Sequence, residues 1–232
     1  MSKPHAVIIG VGDGHSASVA RAQATTSAVT LCARTPDKLN DLAAETGGRT
    51  VALDATDPAG MARLFEDLPG PLRVAVYNPS ARVRGPIAEL DPETVRRAIE
   101  ITAFGAFLMG QQAARRMLAQ DSDETGTRGT ILFTGASAGV KGFPLSASFA
   151  MGKFAQRGLA ESMSRELHSK GVHVAWVNID GAIRNPGRSE PADNPDSMLD
   201  PDAIAQAYLG LIAQHRSTWS HELSLRPWVE TF

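Results

Sequence analysis

The stretch Ala6-Val-Ile-Ile-Gly10-Val-Gly-Asp-Gly14-His-Ser16 leads from a short apolar run through a glycine-rich turn into an alanine-rich segment. The apolar run predicts a buried strand and the alanine-rich segment a helix, so the turn joins the first strand to the first helix. Gly10, Gly14 and Ser16 fit the pattern G-x-x-x-G-x-G, with serine in place of the last glycine. Glycines here let backbone N–H groups and a helix N-terminus approach a pyrophosphate. This first unit therefore predicts a nucleotide-binding α/β fold.

Beyond this unit, short apolar β-branched runs alternate with longer amphipathic stretches along the whole chain. The alternation is typical of repeated strand–helix–strand units and of a parallel sheet. The predicted strands cover 6–10, 28–33, 49–53, 72–77, 129–134, 172–179 and 221–225. The predicted helices cover 15–26, 36–46, 57–67, 91–118, 147–169 and 201–215. The sequence predicts one doubly wound, Rossmann-type α/β domain over 1–232, with a seven-stranded parallel sheet and helices on both faces.

The composition excludes several classes of function. The chain has 232 residues, with 23 Lys and Arg against 25 Asp and Glu and a net charge of −2, so nothing favours nucleic acid or an anionic membrane as partner. Cys32 is the only cysteine and cannot form an internal disulfide, which fits a reducing compartment. No apolar stretch is long enough to span a bilayer, and we expect a cytoplasmic protein. The six histidines lack metal-ligand spacing, so we expect no metal site.

The end of the second predicted strand, Leu31-Cys-Ala-Arg34-Thr35, bears on which dinucleotide the turn would hold. An NAD site usually has an acid there for the ribose 2′-hydroxyl, and no acid occurs between Gly14 and Pro36. A small residue followed by Arg34 suits a 2′-phosphate, because guanidinium pairs with phosphate and stacks on adenine. The sequence thus favours NADP(H) over NAD(H). The alternative is a solvated arginine at a strand end.

Two further positions near this site can be interpreted in more than one way. Read as G-x-G-x-x-G, the turn uses Gly12 as its second glycine but has His15 in the third position. Asp54, after the third predicted strand, could accept a hydrogen bond from the adenine amino group. Thr56 or Asp57 could instead serve only to cap the next helix.

At these motifs the chain resembles the short-chain dehydrogenase/reductase family over nearly its whole length. Where that family has Asn-Asn-Ala-Gly after the fourth strand, this chain has Tyr77-Asn-Pro-Ser80, which keeps one asparagine. Gly105-Ala-Phe107 resembles the family's Gly-x-Phe, and Thr102 stands where a catalytic asparagine is usual. Asn178-Ile-Asp-Gly-Ala-Ile183 resembles the family's Asn-Pro-Gly-x-Ile/Val turn beside the nicotinamide. The resemblance implies a cofactor site made of Gly10, Gly12, Gly14, Ser16, Arg34, Asp54, Asn78, Lys153, Gly181 and Ile183.

The family's chemistry uses a serine, a tyrosine and a lysine. Lys153 matches the lysine, which in the family binds the nicotinamide ribose and lowers the pKa of the tyrosine phenol. Four residues earlier, one turn along the same helix face, the tyrosine position holds Phe149. The serine position falls on Ala136, with Ser137 one residue away. The usual proton donor is therefore absent from this sequence.

Three residues are candidates for the missing catalytic role. Tyr77 is the nearest candidate acid by topology, although a tyrosine at such a place is more often a packing residue. Ser137, like Ser146 and Ser148, could orient a substrate but hardly protonate it, because a free serine is a poor acid. Lys153 could donate a proton if burial depressed its pKa, or a bound water could do so. Lys153, Ser137 and Tyr77 are the candidate catalytic residues.

Two hypotheses follow for the function. One is an atypical oxidoreductase of this family that binds NADP(H) and transfers hydride to or from a small carbonyl or alcohol substrate with a non-standard proton donor. The alternative is a catalytically silent NADP(H)-binding sensor or assembly protein, since the glycine turn, Arg34 and Lys153 all serve binding. A third possibility is a lyase or isomerase that uses the same nucleotide-binding groove without net oxidation or reduction of its substrate.

The helices predicted over 91–118 and 147–169 carry small residues on apolar faces, which allow close packing between subunits. These residues are Ala103, Gly105, Ala106, Gly110, Ala147, Ala150 and Gly152. The resemblance implies a homodimer or homotetramer through these helices. The alternative is ordinary packing within the chain.

The segment 184–200 is rich in Pro, Asp and Asn, and a loop of this length in a compact domain is usually functional or mobile. We predict a mobile substrate loop there. The arginines that flank the expected substrate mouth are Arg82, Arg84, Arg184 and Arg188. They fit an anionic substrate, or they are merely solvated.

Overall fold

Seven parallel strands form the central sheet of the computed structural model, which describes residues 3–230. They are β1 (His5–Ile9), β2 (Ala28–Ala33), β3 (Arg49–Ala52), β4 (Leu72–Tyr77), β5 (Gly129–Thr134), β6 (Val172–Ile179) and β9 (Glu222–Leu225), while β7 (Ala182–Ile183) and β8 (Met198–Leu199) form a separate small sheet. The order across the seven-stranded sheet is β3-β2-β1-β4-β5-β6-β9, and every neighbouring pair is parallel. The predicted fold class is confirmed. Residues 1–2 and 231–232 of the predicted domain lie outside the described residues.

The helices cover both faces of the sheet. They are α1 (His15–Ala24), α2 (Asn40–Thr46), α3 (Pro58–Glu66), α4 (Pro92–Ile99), α5 (Gly105–Ala119), α6 (Ala147–Leu167) and α7 (Pro201–Ile212). Asp57, Asp91 and Asp200 cap the N-termini of α3, α4 and α7, since each carboxylate accepts a backbone N–H of the first turn. Within residues 3–230, no helix is long and apolar enough to cross a membrane.

The alternation of side chains along β1 divides the core in two. Val7 and Ile9 belong to one apolar cluster, which also includes Met109 of α5. Ala6 and Ile8 belong to the other, with α1 and α7. All four strand residues are at most 1% exposed, so β1 is buried on both faces, as a central parallel strand requires.

Chain order reverses between β1 and β4. β1 pairs with β2 on one side and with β4 on the other, and later strands add outward from β4. At such a switch point the loops that leave the carboxyl ends of neighbouring strands diverge and leave a crevice. The crevice here lies between Gly10, after β1, and Asn78, after β4. The Asn78 amide bridges it by donating to the Gly10 carbonyl at 2.8 Å.

The helix predicted over 91–118 is interrupted by a π-helical turn at Glu100–Phe104. The Tyr77 hydroxyl donates to the Ile101 carbonyl in this turn. A Cβ at Gly105 would overlap the Tyr77 hydroxyl and lie 2.7 Å from the Ala55 carbonyl oxygen. Glycine is therefore required where α5 crosses the end of β4.

The small residues of the long helices have partners within the chain. A Cβ on Gly110 would lie 2.9 Å from the sulfur of Met163, and one on Gly152 would lie 2.8 Å from the Cβ of Thr102. Ala106 is also fully buried. The close packing at Gly110, Gly152 and Ala106 is thus intrachain, which favours the alternative of ordinary packing within the chain for these residues.

We predict that Gly105→Ala lowers the free energy of unfolding by about 1–3 kcal/mol, because the added methyl must displace Tyr77 or a backbone carbonyl. Gly210→Ala, in α7, is the matched control, since an added Cβ there meets nothing within 4 Å among the described residues. It should raise stability by about 0.5–1 kcal/mol, the usual gain from alanine in a helix. Urea unfolding of both variants measures the difference. Equal changes in the free energy of unfolding for the two variants would contradict the close contact of Gly105 with Tyr77.

Candidate functional site

The ends of β1, β2 and β3 open onto a cavity of about 470 Å³, here called the β2 cavity. Its lining includes Gly10 and Gly12 after β1, Arg34 after β2 and Asp54 after β3. Lys38, from the 3₁₀ turn that follows β2, adds a second cation. These residues lie close together because the carboxyl ends of parallel strands are at the same edge of the sheet. Sequence reasoning missed Lys38, although it stands only four residues after Arg34.

The glycine turn presents open backbone to this edge. Gly10 has φ +79°, and a Cβ on it would lie 2.6 Å from Pro79 Cγ, so glycine is needed there. A Cβ on Gly12 or Gly14 would meet no described atom within 4 Å, which leaves space for an anionic group to approach the backbone. The buried hydroxyl of Ser16 accepts from Gly12 N at 3.1 Å and donates to Gly12 O at 3.2 Å, so it shapes the turn. Its contact with a cofactor stays a prediction.

Asp54 lines the β2 cavity, but its carboxylate already accepts hydrogen bonds from other residues of the protein. Its Oδ1 accepts from the backbone N–H of Thr56 at 2.9 Å and from the Thr56 hydroxyl at 2.7 Å. Its Oδ2 pairs with Arg97 at 2.6 Å. The backbone hydrogen bond from Thr56, together with its hydroxyl and Arg97, lowers the pKa of Asp54, so the group is a carboxylate near neutral pH. Arg97 is a further cation of this cavity that the sequence did not reveal.

A second cavity, of about 340 Å³, is here called the Lys153 cavity. It lies at the ends of β4, β5 and β6 and shares Ser80 with the β2 cavity. Of the predicted cofactor residues it contains Gly14, Asn78, Lys153, Gly181 and Ile183. The two cavities together therefore contain all of that set except Ser16.

Lys153 is only 2% exposed. Its Nζ donates to the Thr134 carbonyl at the end of β5, at 2.5 Å, and to Gln156 Oε1 at 3.3 Å. Burial lowers the pKa of Lys153 to about 7, so the group can both hold and release a proton near neutral pH.

Gln156 holds this arrangement together and was missed by sequence reasoning. It is fully buried and accepts from Trp176 Nε1 at 3.3 Å as well as from Lys153. Its amide donates to the Thr102 carbonyl in the π-helical turn, at 3.2 Å. The available signal is its spacing, since a residue three positions after Lys153 lies on the same helix face.

Phe149 and Ala136 line the Lys153 cavity where a proton-donating tyrosine and a serine were expected from the resemblance. Phe149 is 8% exposed, and Lys153 Nζ lies 6.0 Å from the centroid of its ring. The guanidinium carbon of Arg82 lies 4.1 Å from the same centroid, over the ring face. Neither a phenyl ring nor a methyl group exchanges protons, so any proton must come from another group.

Neither of the two hydroxyl candidates lines this cavity. Tyr77 is fully buried, its hydroxyl donates to Ile101 O, and burial raises the pKa of its phenol. Tyr77 is thus a packing residue, which corrects its place among the candidate catalytic residues. Ser137 follows the cavity residue Ala136, and a catalytic role for it stays a prediction. Of the three candidates, only Lys153 lines the cavity.

His15 is a buried titratable group of the Lys153 cavity. It is 9% exposed, and burial, followed by the charge of Lys153, lowers its pKa to about 4. The imidazole is therefore neutral near pH 7. In the part of the chain that the structure describes, no group of three His, Cys, Asp or Glu side chains is arranged to hold a metal ion.

The segment 184–200 is partly ordered by pairing. Within it, β8 (Met198–Leu199) runs parallel to β7 (Ala182–Ile183) in a small second sheet. Arg184 pairs with Asp200, whereas Arg188 lines the Lys153 cavity. The mobility of this loop stays a prediction.

Comparison with known proteins identifies relatives of this chain. A family model described as short chain dehydrogenase matches residues 4–187. A short-chain dehydrogenase from Rhodopseudomonas palustris, solved by crystallography, is 34% identical, with 98% of this chain and 100% of that chain covered and a TM-score of 0.82.

Two further similarities are more limited. L-2,3-butanediol dehydrogenase from Corynebacterium glutamicum is 30% identical over 127 residues, which cover 53% of this chain and 47% of that protein. The chain spans about half the length of the first curated relatives that it matches. A metagenomic short-chain oxidoreductase solved in complex with NADP shares the fold, at a TM-score of 0.82 and 24% identity, with 99% of each chain covered.

Lys153→Met should remove a pH dependence from the stability of the protein. A lysine in an unfolded chain has a pKa of about 10.4, whereas burial lowers that of Lys153 to about 7. Between these values the unfolded chain binds more protons, so the free energy of unfolding rises with pH, by at most about 1.4 kcal/mol per unit from this group. Urea unfolding at pH 7, 8 and 9 measures the slope.

Lys141→Met is the matched control, because Lys141 is exposed. It should keep the wild-type slope, whereas Lys153→Met should show a flatter one. If the wild type and both variants gain stability equally between pH 7 and 9, the pKa of Lys153 is not depressed in the folded protein.

Proposed function

Since the chain belongs to the short-chain dehydrogenase family, we propose that it is an NADP(H)-dependent oxidoreductase that transfers hydride to or from a small carbonyl or alcohol substrate. The proton donor differs from the usual tyrosine. The observation that carries the proposal is the pair of adjoining cavities. One has the open glycine turn with Arg34 and Lys38, and the other has a buried lysine of depressed pKa.

The β2 cavity fits the adenosine end of NADP(H). The open backbone at Gly12 and Gly14 would receive the pyrophosphate. Arg34 and Lys38, both lining the cavity, would bind the 2′-phosphate, because a guanidinium and an ammonium together match its charge. Lys153, Asn78 and Ile183 would hold the nicotinamide end in the adjoining cavity. A structural neighbour solved with NADP has the same fold, and the shared fold is compatible with this assignment.

When bound, the cofactor supplies or accepts the hydride. The chain must supply or remove the proton at the substrate oxygen, and Lys153 is the group with the right chemistry. An ammonium has three N–H donors, and Thr134 O and Gln156 Oε1 take two of them. The third remains for the ribose, for the substrate oxygen, or for a water that bridges to it.

Phe149 and Ala136 support the alternative of a protein that binds NADP(H) without turnover. Loss of a positioned general acid typically lowers a rate by about 10²–10⁴-fold. The residues that would bind the cofactor are brought together, while the two positions that would handle the proton are apolar. Cofactor binding is common to both functions, and turnover separates them.

We also propose that the protein is a homodimer or homotetramer. Four large apolar side chains are each more than 40% exposed: Phe104 of the π-helical turn, Phe107 of α5, and Met151 and Phe154 of α6. Large apolar side chains clustered on an exposed helix face mark contact surfaces. They replace the small residues as the support for the predicted assembly.

Arg34→Gln should weaken NADPH binding by about tenfold or more, because one charge-assisted phosphate contact is lost, and should leave NADH binding nearly unchanged. The dissociation constants are measured by quenching of NAD(P)H fluorescence. Arg63→Gln, on the exposed side of α3, is the control. An equal loss for both dinucleotides would refute the 2′-phosphate assignment. Failure of the wild-type protein to bind either would overturn the proposed function.

Restoring the two missing groups in the double variant Phe149→Tyr/Ala136→Ser should raise the rate of NADPH oxidation with a panel of carbonyl compounds by about 10²–10⁴-fold. Phe143→Tyr is the control, since it adds the same hydroxyl at an exposed position outside both cavities. If NADPH binds but neither wild type nor the double variant consumes it, the binding-only alternative is favoured.

A further inference from the structure

Arg82 is a group at the Lys153 cavity that the proposed function leaves unused. It lines the cavity and its guanidinium lies over the ring of Phe149, 4.1 Å from the centroid. Stacking on an aromatic face fixes the plane of a guanidinium and leaves the N–H donors at its edge free. Such a group is pre-oriented for a planar acceptor.

The backbone on both sides of Arg82 is held by buried hydroxyls. The N–H of Ala81 donates to Thr102 Oγ1 at 3.1 Å, and the N–H of Val83 donates to Ser148 Oγ at 3.0 Å. The Ser148 hydroxyl in turn donates to Val83 O at 2.9 Å. Thr102 and Ser148 are 0% and 1% exposed. The side chain of Arg82 is exposed, but it is presented to the cavity from a fixed backbone.

A second cation, Arg188, lines the same cavity. Its N–H donates to Asn185 O at 2.9 Å and its carbonyl accepts from Asn185 N at 3.1 Å, so a tight turn fixes its backbone. Nearby Arg184 is neutralised by Asp200. By contrast, no ion pair formed within residues 3–230 includes Arg82 or Arg188, and none of the described acids lines this cavity.

We infer that Arg82, with Arg188, binds a carboxylate of the substrate, and that the protein acts on small oxo acids or the corresponding hydroxy acids. A planar carboxylate matches the edge of a stacked guanidinium in two parallel hydrogen bonds. The substrate is small because a cavity of about 340 Å³ must also take one end of the dinucleotide. This inference rests on the proposed function for the place of the substrate, but not for the binding of the anion.

Calorimetric titration with two matched pairs of compounds tests it. The probes are oxamate and succinamate, and the controls are their neutral counterparts oxamide and succinamide. NADPH affinity is first measured for each protein, and the probes are then added to the protein with and without NADPH. At least one carboxylate should bind and its neutral partner should not.

Arg82→Gln should weaken carboxylate binding by about ten- to hundredfold, the effect of losing a charge-assisted pair, and leave NADPH affinity unchanged. Arg82→Lys keeps the charge but loses the planar match, so its loss should be intermediate. Arg84→Gln is the matched control, since Arg84 is exposed two residues away and does not line the cavity. It should bind the probes as the wild type does.

Three results would overturn the inference: no binding by either carboxylate, equal binding of the neutral amides, or a loss of NADPH affinity in Arg82→Gln that accounts for the effect. Tighter binding of inorganic phosphate than of both carboxylates would assign the two arginines to a phosphate. Failure of every protein to bind NADPH would refute the proposed function, while the titrations without NADPH would still decide the role of Arg82.

Discussion

The burial of the Lys153 ammonium is the interaction on which the rest of the site depends. A cation withdrawn from water is tolerated only where donors and acceptors are satisfied. Here the acceptors are the Thr134 carbonyl at the end of β5 and the Gln156 amide. Gln156 also binds Trp176 of β6 and the π-helical turn that precedes α5. Lys153 and Gln156 together thus tie α6 to β5, to β6 and to the π-helical turn, and so fix the cavity around the lysine.

The close contacts of glycines show how this arrangement is achieved. A Cβ on Gly152, next to Lys153, would lie 2.8 Å from the Cβ of Thr102, so α6 approaches the π-helical turn as closely as backbone allows. A Cβ on Gly139 would lie 2.5 Å from a ring carbon of Trp176. A side chain at Gly152 would therefore push α6 away from the π-helical turn, and one at Gly139 would push the 3₁₀ turn Ser137–Gly139 away from Trp176 of β6.

The fold could be predicted from the sequence because its signals are local and repeated. Short apolar runs predict strands and amphipathic stretches predict helices. Their alternation along the chain predicts the parallel sheet. The pairing of Phe149 with Lys153 could also be predicted, since four residues make one turn of a helix. Both side chains line the same cavity in the structure. Where spacing alone decides the geometry, the sequence is sufficient.

Side-chain direction at strand ends could not be predicted in the same way. Tyr77 and Ser137 both lie at the carboxyl edge of the sheet, yet neither lines the Lys153 cavity. The Tyr77 hydroxyl donates instead to Ile101 O, so its direction depends on the π-helical turn, which lies far away in sequence. Gln156 was missed for the related reason that its three partners come from three separate elements.

Arg82 and Lys153 share Phe149 as a neighbour, at 4.1 and 6.0 Å from the centroid of its ring. Burial lowers the pKa of Lys153, and a negative charge placed nearby favours the ammonium form. On the proposed function and substrate, a carboxylate bound by Arg82 would therefore raise the pKa of Lys153. The lysine would then take up a proton as the oxo acid arrives, which is what reduction of its carbonyl requires of a proton donor. Binding of the anion would thus also prepare the proton donor. Because Phe149 stands where the tyrosine was expected, no phenol at that position can provide the proton independently of the anion.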